Sequence, residues 1–279
     1  MATLSSYITE VRRLLHDANG VFWSDQELTD DINAARERVV RDTGCLRTLL
    51  VASTPIGADG SAAIPWSANL AVTSGQYIFS NIYTYQVTTS GTLGTSAPPY
   101  PTGNGGFPPT TPFANGTAYL TYSNPAEIIP YSALDSVNQI LDVMNVTIYW
   151  GNSRIPLRYL PFSNFNAQLR YWQNYIGRPV CFSIYGQQQI YLGPVPDQSY
   201  LMEVDTVILP TALTNTNTTD PINDPFTQPV AFYAAYKAKY KEQSYGEAEI
   251  FQQQYKQQVQ AALNSSFTRR IPDPYSTPY

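Results

Sequence analysis

The chain has 279 residues, 43% of them hydrophobic, and a net charge of −5 with an isoelectric point near 4.9. That is material for one or two domains with a real core, which excludes wholesale disorder, and an acidic chain does not hold DNA by neutralising phosphates. Charged residues make up only 13%, about half the usual share; uncharged polar side chains fill the difference, as on a surface covered by other protein chains or on a monomer with an unusually neutral exterior.

The first residues show no basic region followed by an apolar run, so no signal peptide is expected. No stretch approaches the ~18 apolar residues of a membrane span. Tyr7, Ile8, Val11, Leu14, Leu15 and Ala18 recur at three- and four-residue steps and predict a first helix, stopped by Asn19 and Gly20. Ser24 with Glu27 three residues on is a capping-box signature. It opens a second helix along Leu28, Ile32, Ala35 and Val39, which Gly44 ends. Val21, Phe22 and Trp23 are placed to staple this helical hairpin. From Cys45 to Ser53 the pattern becomes that of a strand, so residues 1–52 read as a hairpin leading into a first strand. Pro55, Gly57, Gly60 and Pro65 then punctuate the chain.

Residues 71–124 carry no charged side chain and are rich in Gly, Pro, Thr, Ser and Tyr. They read as an inserted small all-β module, the alternative being a low-complexity loop. Residues 125–210 form a central β region. Val146–Trp150 and Arg154–Leu160 flank a short turn at 151–153. Ser163 caps a short helix with Phe165, Leu169 and Trp172, and strands follow at 180–185, 189–192 and 200–209, with a rigid turn at 193–197. Residues 211–263 hold a polar connection and then C-terminal helices through Phe226, Val230, Tyr233 and Tyr240, and through Phe251, Tyr255, Val259 and Leu263. The four lysines Lys237, Lys239, Lys241 and Lys256 read there as a solvated face. Residues 264–279, with three prolines, read as an extended arm.

Catalytic chemistry finds no foothold, and neither a metal nor a cofactor is expected. His16 is the only histidine and sits beside Leu15 and Asp17 on the first helix. With Cys45 and Cys181 far apart, zinc lacks ligands; the two cysteines read as buried free thiols, with a disulfide the alternative. No phosphate-loop pattern occurs. The close acid pairs Asp30/Asp31, Asp135/Asp142 and Glu247/Glu249 read as solvated, which argues against glycoside hydrolysis. Tyr83, Tyr85, Tyr119 and Tyr122 of the insert either stack on a sugar or a partner, or fill the module's own core.

The order of these features resembles the head–tail adaptor (connector) proteins of tailed phages. The resemblance rests on Trp23-Ser24-Asp25-Gln26-Glu27-Leu28 with Ile32-Asn33-Ala34-Ala35, then Arg154 to Tyr159, Gly177-Arg178-Pro179, Ile190 to Asp197 and the helix after Asp224. Ser90 to Pro98 followed by Asn115-Gly116-Thr117 is similar to a small β module of phage tail and fibre proteins, with Asn115 in place of its Asp and Tyr119 and Tyr122 in place of its Trp. The expected fold is α+β: a discontinuous helical domain from both ends of the chain, a central antiparallel β region and the small all-β insertion. The resemblance implies a virion protein of the head–tail junction, made in the host bacterial cytoplasm. It implies a dodecameric ring of copies of this chain that docks under the portal protein, with tail, nozzle or tail-tube proteins below. Genomic DNA would pass through without sequence-specific binding, and no membrane is involved. The arm residues Arg269, Arg270, Ile271, Pro272, Tyr275 and Tyr279 would then anchor on the portal, the alternative being a frayed tail. A rival reading is a carbohydrate-binding virion or receptor-recognition protein.

Overall fold

The computed structural model describes residues 2–98, 111–168, 175–186, 188–214 and 218–267. Thr3 opens helix α1 (Leu4–Leu14), its hydroxyl accepting from the Ser6 amide while the Ser6 hydroxyl accepts from the Thr3 amide. The helix stops at Leu14, short of the expected Ala18, and His16 takes a left-handed φ of 58° just past its end rather than lying on the helix. The cause is Asp17, whose carboxylate collects the next amides and offers the backbone an alternative to helix. Helix α2 (Asp25–Thr43) begins at the Ser24–Glu27 capping box and ends at Gly44, which takes φ 62° and donates to Val40 O at 2.8 Å. That left-handed turn is open to glycine without strain.

The chain then runs through β1 (Arg47–Thr54), β2 (Ala63–Pro65), β3 (Ala71–Val72), β4 (Tyr77–Ser80), β5 (Tyr83–Thr89), β6 (Gly91–Thr92), β7 (Phe113–Asn115), β8 (Ala118–Pro125) and β9 (Ile128–Pro130). A one-turn helix α3 (Tyr131–Leu134) leads to β10 (Ile140–Trp150), β11 (Ser153–Pro156) and β12 (Arg158–Tyr159). After helix α4 (Phe162–Gln168) come β13 (Ile176–Gly177), β14 (Cys181–Tyr185), β15 (Gln189–Gly193), β16 (Val195–Pro196) and β17 (Tyr200–Ile208). Helices α5 (Gln228–Lys241) and α6 (Tyr245–Phe267) follow.

The fold is α+β. Residues 1–47 and 207–279 form one compact unit and 48–206 the other. In the second unit a four-stranded sheet has the order β1-β17-β10-β11, and another the order β12-β14-β15-β9. Trp150 faces Ser153 across the two-residue turn of β10 and β11. The pairs β12–β14 and β13–β16 are parallel, unlike the expected all-antiparallel region. In each case the two strands are joined by an intervening segment and not by a hairpin, which lets them run the same way. The module sheet is β2-β4-β5-β8-β7. It therefore starts at Ala63, ahead of the expected Ala71, through a three-residue strand parallel to β4. The small helix α4 begins at Phe162, one residue before the expected cap Ser163.

In the helical unit the core gathers Tyr7, Val11, Leu28, Ile32, Ala35 and Val39 with Ala231, Ala234, Ala235, Ala238 and Tyr255. Of the expected stripe, Val230 is buried and Phe226 and Tyr233 pack on the core, but Tyr240 is 56% exposed, and most of the rest of the buried face of α5 is alanine. Small side chains let neighbouring helices approach closely, and the tyrosines pack along the flank. The C-terminal helices break at Glu242–Ser244, where Gln243 takes φ 65°. Helix α6 continues to Phe267, so Asn264 to Phe267, assigned by sequence to the arm, are helical. The first proline beyond them is Pro272, and Ser265 and Ser266 donate back to Ala262 O within the helix.

Candidate interaction surfaces

The lysines of α5 form no free cationic face. Lys237 and Lys241 both reach Asp31 of α2, at 3.1 and 2.8 Å, and Lys239 pairs with Glu242 and Glu247. Asp31 is 1% exposed, so the expectation of a solvated acid pair fails for it. It stands beside Leu28 and Ile32 on the face that α5 covers, and a buried carboxylate there needs cations.

A second buried pair joins α2 to the polar connection. Arg36, 0% exposed, makes a two-pronged contact with Asp220 at 2.9 and 2.8 Å. Its remaining nitrogen donates to Asn33 Oδ1 and Thr211 O. Asp220 also accepts from the Tyr7 hydroxyl at 2.8 Å and from the Ile222 amide. Burial, then the neighbouring Asp220 carboxylate, pushes the Tyr7 phenol well above its ordinary range. Asn33 adds a reciprocal pair of bonds to Leu213. Every polar atom of this cluster is used in holding the connection against the helices, which is a structural role.

The α1–α2 turn is built from Asp17 and Arg12. The Asp17 carboxylate accepts from the amides of Val21, Phe22 and Trp23, and Arg12 donates to Asp17, Trp23 O and Asp25. Burial works against the Asp17 charge, yet those amides and Arg12 hold its carboxyl below the usual value. Of the three residues expected to staple the hairpin, Trp23 packs on the core, while Val21 and Phe22 stand 74% and 83% exposed. The turn must satisfy its amides, and doing so points the two apolar side chains outward.

In the β module Tyr85 is 2% exposed within a core of Val72, Ile78, Val87, Leu93, Ala118 and Leu120. Tyr83 and Tyr122 flank that core and meet edge to face at 5.7 Å, and Tyr85 meets Phe113 at 5.7 Å. Rings held this way fill the module, because so short a segment has few other large apolar groups. A buried Tyr85 offers no face to a sugar. Tyr119, 46% exposed, is the largely solvent-facing ring of the four tyrosines. The two halves of the module motif meet: Asn115 Oδ1 accepts from the Gly94 amide at 2.8 Å, and Thr117 Oγ1 accepts from the Thr92 amide at 2.8 Å. Gly116, at φ 70°, sits where a Cβ would collide with Thr92 O.

The arm residues Arg269, Arg270, Ile271, Pro272, Tyr275 and Tyr279 lie outside the described residues, as do Leu169 and Trp172. His16 lines a shallow cleft of about 460 Å³ with Thr9, Arg12, Arg13 and Ala18. The described lining gives the imidazole no carboxylate to orient it as a base, and Glu247, which lies within electrostatic reach, is paired with Lys239. Among the described residues no group of three or more His, Cys, Asp or Glu is placed to hold a metal ion. Both cysteines are free, and no described helix is long and apolar enough to cross a membrane.

Comparison with known families places the chain among the adaptor proteins of bacteriophages, structural proteins of the virion. Within that class it belongs to the SU10 adaptor protein family, which it matches over residues 2–278. No curated protein matches it.

Proposed function

We propose that this chain is the head–tail adaptor of a tailed phage, a non-enzymatic subunit whose copies form a ring under the portal. The ring continues the DNA channel and carries the tail or nozzle proteins. The observation that supports this reading most is the family match across nearly the whole chain. The helical unit adds to it: both ends of the chain belong to one body, so residues 268–279 leave from the same unit that holds the hairpin. Those residues carry Arg269, Arg270, Ile271, Pro272, Tyr275 and Tyr279. The portal is the partner we assign to this segment. The low share of charge suits a chain that meets neighbours on several sides.

The test is native mass spectrometry of the chain mixed with its portal protein. A complex with one copy per portal subunit is expected. A chain ending at Phe267 should keep its helical signal and lose the portal. Binding by that truncated chain would remove the arm from the reading, and no complex with the full chain would sink the reading itself.

A further inference from the structure

We infer that β1 is a pairing edge for a second copy of this chain, joined antiparallel about a two-fold axis at Leu50. Among the described residues the strand has one strand neighbour, β17, and so stands at the edge of its sheet. Open edges are normally kept short or guarded by Pro, Lys or other charges, because an unpaired row of N–H and C=O groups templates another strand. The other edges among the described residues follow that rule. Strand β11 has four residues with Arg154 and Pro156, β2 and β9 have three and end in Pro65 and Pro130, and β7 and β12 have three and two. Strand β1 breaks it, with eight residues, no proline and a single charge, Arg47, at its start.

The phase of the strand decides what it offers. The Ile208 amide donates to Leu46 O, and Thr206 Oγ1 donates to Thr48 O. Even-numbered residues thus turn their main chain toward β17, and Leu49, Val51 and Ser53 turn theirs to the open edge. Leu49 and Val51 are also exposed, at 52% and 62%. An extended main chain is the chemistry that completes such an edge, and β1 is complementary to itself. With Leu50 on the axis, Leu49 faces Val51 of the second copy and Arg47 faces Ser53. Apolar side chains then oppose apolar ones and no like charges meet. The two Leu49–Val51 pairs alone would exchange about four main-chain bonds. A single strand seam is smaller than the roughly 1,600 Å² of a standard interface, so the dimer belongs in the micromolar range. This inference stands apart from the adaptor reading.

Sedimentation velocity of the full chain across the micromolar range should show a monomer–dimer equilibrium, weakened at least about tenfold by Val51→Lys, which sets a charge on the edge. Leu50→Cys supplies a readout that does not depend on the folding of that variant. At the axis the two residues form a non-hydrogen-bonded pair with Cα atoms about 4.5 Å apart, within disulfide reach. Mild oxidation should give a dimer whose linked peptide, identified by mass spectrometry, joins residue 50 to residue 50. A monomer at every concentration overturns the inference, as does a dimer unmoved by Val51→Lys and lacking the 50–50 link. Protection of the β1 amides from exchange only when a portal or tail protein is added would overturn it too, by giving the edge to another chain.

Discussion

Glu127 lies between β8 and β9 with 5% of its surface exposed, and its Oε2 has no hydrogen-bond partner among the described residues. Its main-chain oxygen accepts from the Leu192 amide at 2.9 Å, which ties the backbone of this segment to β15. Burial pushes the carboxyl from its usual 4.5 up to about 7, against a small opposing pull from its own amide. In the unfolded chain the group releases its proton near 4.5. Between that pH and about 7 the folded state therefore binds more protons than the unfolded state, and stability falls as pH rises through this window. Above both values the deficit is constant. At about 1.4 kcal/mol for each pH unit, the gap amounts to about 3 kcal/mol.

Glu127→Gln removes the titration while keeping the shape. Urea unfolding of wild type and variant at pH 5 and pH 8, followed by tryptophan fluorescence, isolates the effect as a difference of differences. Three of the four tryptophans, Trp66, Trp150 and Trp172, belong to residues 48–206, so the signal reports the right unit. The glutamine amide brings donors of its own and shifts the variant by the same amount at both pH values. Because the unfolded-state group is already largely ionised at pH 5, the wild type should lose roughly 2–3 kcal/mol relative to the variant on going from pH 5 to pH 8. Parallel behaviour of the two proteins would refute the claim that this carboxyl is held neutral by burial.

Removing the counter-charge with Asp220→Ala leaves Arg36 buried and unpaired and should cost about 3–5 kcal/mol, seen as a lower Tm of the helical circular dichroism signal. Ser24→Ala removes the cap of α2 and should cost about 1 kcal/mol in the same assay. Tyr85→Ala should destabilise the β module by about 3 kcal/mol or more, whereas Tyr119→Ala should stay within about 0.5 kcal/mol. Equal costs at the two tyrosines, in urea titrations, would contradict the division into core and surface rings.

Much of the frame was legible because it rests on local signals. The capping box at Ser24 and Glu27, the left-handed Gly44 and the apolar steps of α2 are all readable within one window, and each is found where expected. What escaped depends on partners far away in the chain. Asp31 reads as a helix-surface acid until Lys237 and Lys241 arrive from α5. Arg36 and Asp220, 184 residues apart, carry no mark of each other. The ends of α1 and α5 escaped for a different reason: His16 and Gln243 adopt positive φ without being glycine, so the usual punctuation is missing. Helix α5 misled only at Tyr240, because most of its buried stripe beyond Val230 is alanine, which periodicity weighs less than the tyrosines beside it.

The phrase Trp23-Ser24-Asp25-Gln26-Glu27-Leu28 is the most recognisable part of the chain, and the structure uses nearly all of it internally. Trp23 packs on the core, Ser24 and Glu27 cap α2, Asp25 pairs with Arg12 at 2.6 Å and Leu28 is fully buried. Asn115, Gly116 and Thr117 are spent in the same way on Gly94 and Thr92. Residues so committed identify a fold and leave nothing over for a partner. Exposed groups able to meet one include Val21 and Phe22 at the hairpin tip and Leu49 and Val51 along β1, which lie outside the quoted phrases, and Tyr119 on the module and Tyr159 on β12, which lie within them. A family signature of this kind thus reports chiefly how the subunit is built, and what it touches must be read from the exposed residues, most of which the signature omits.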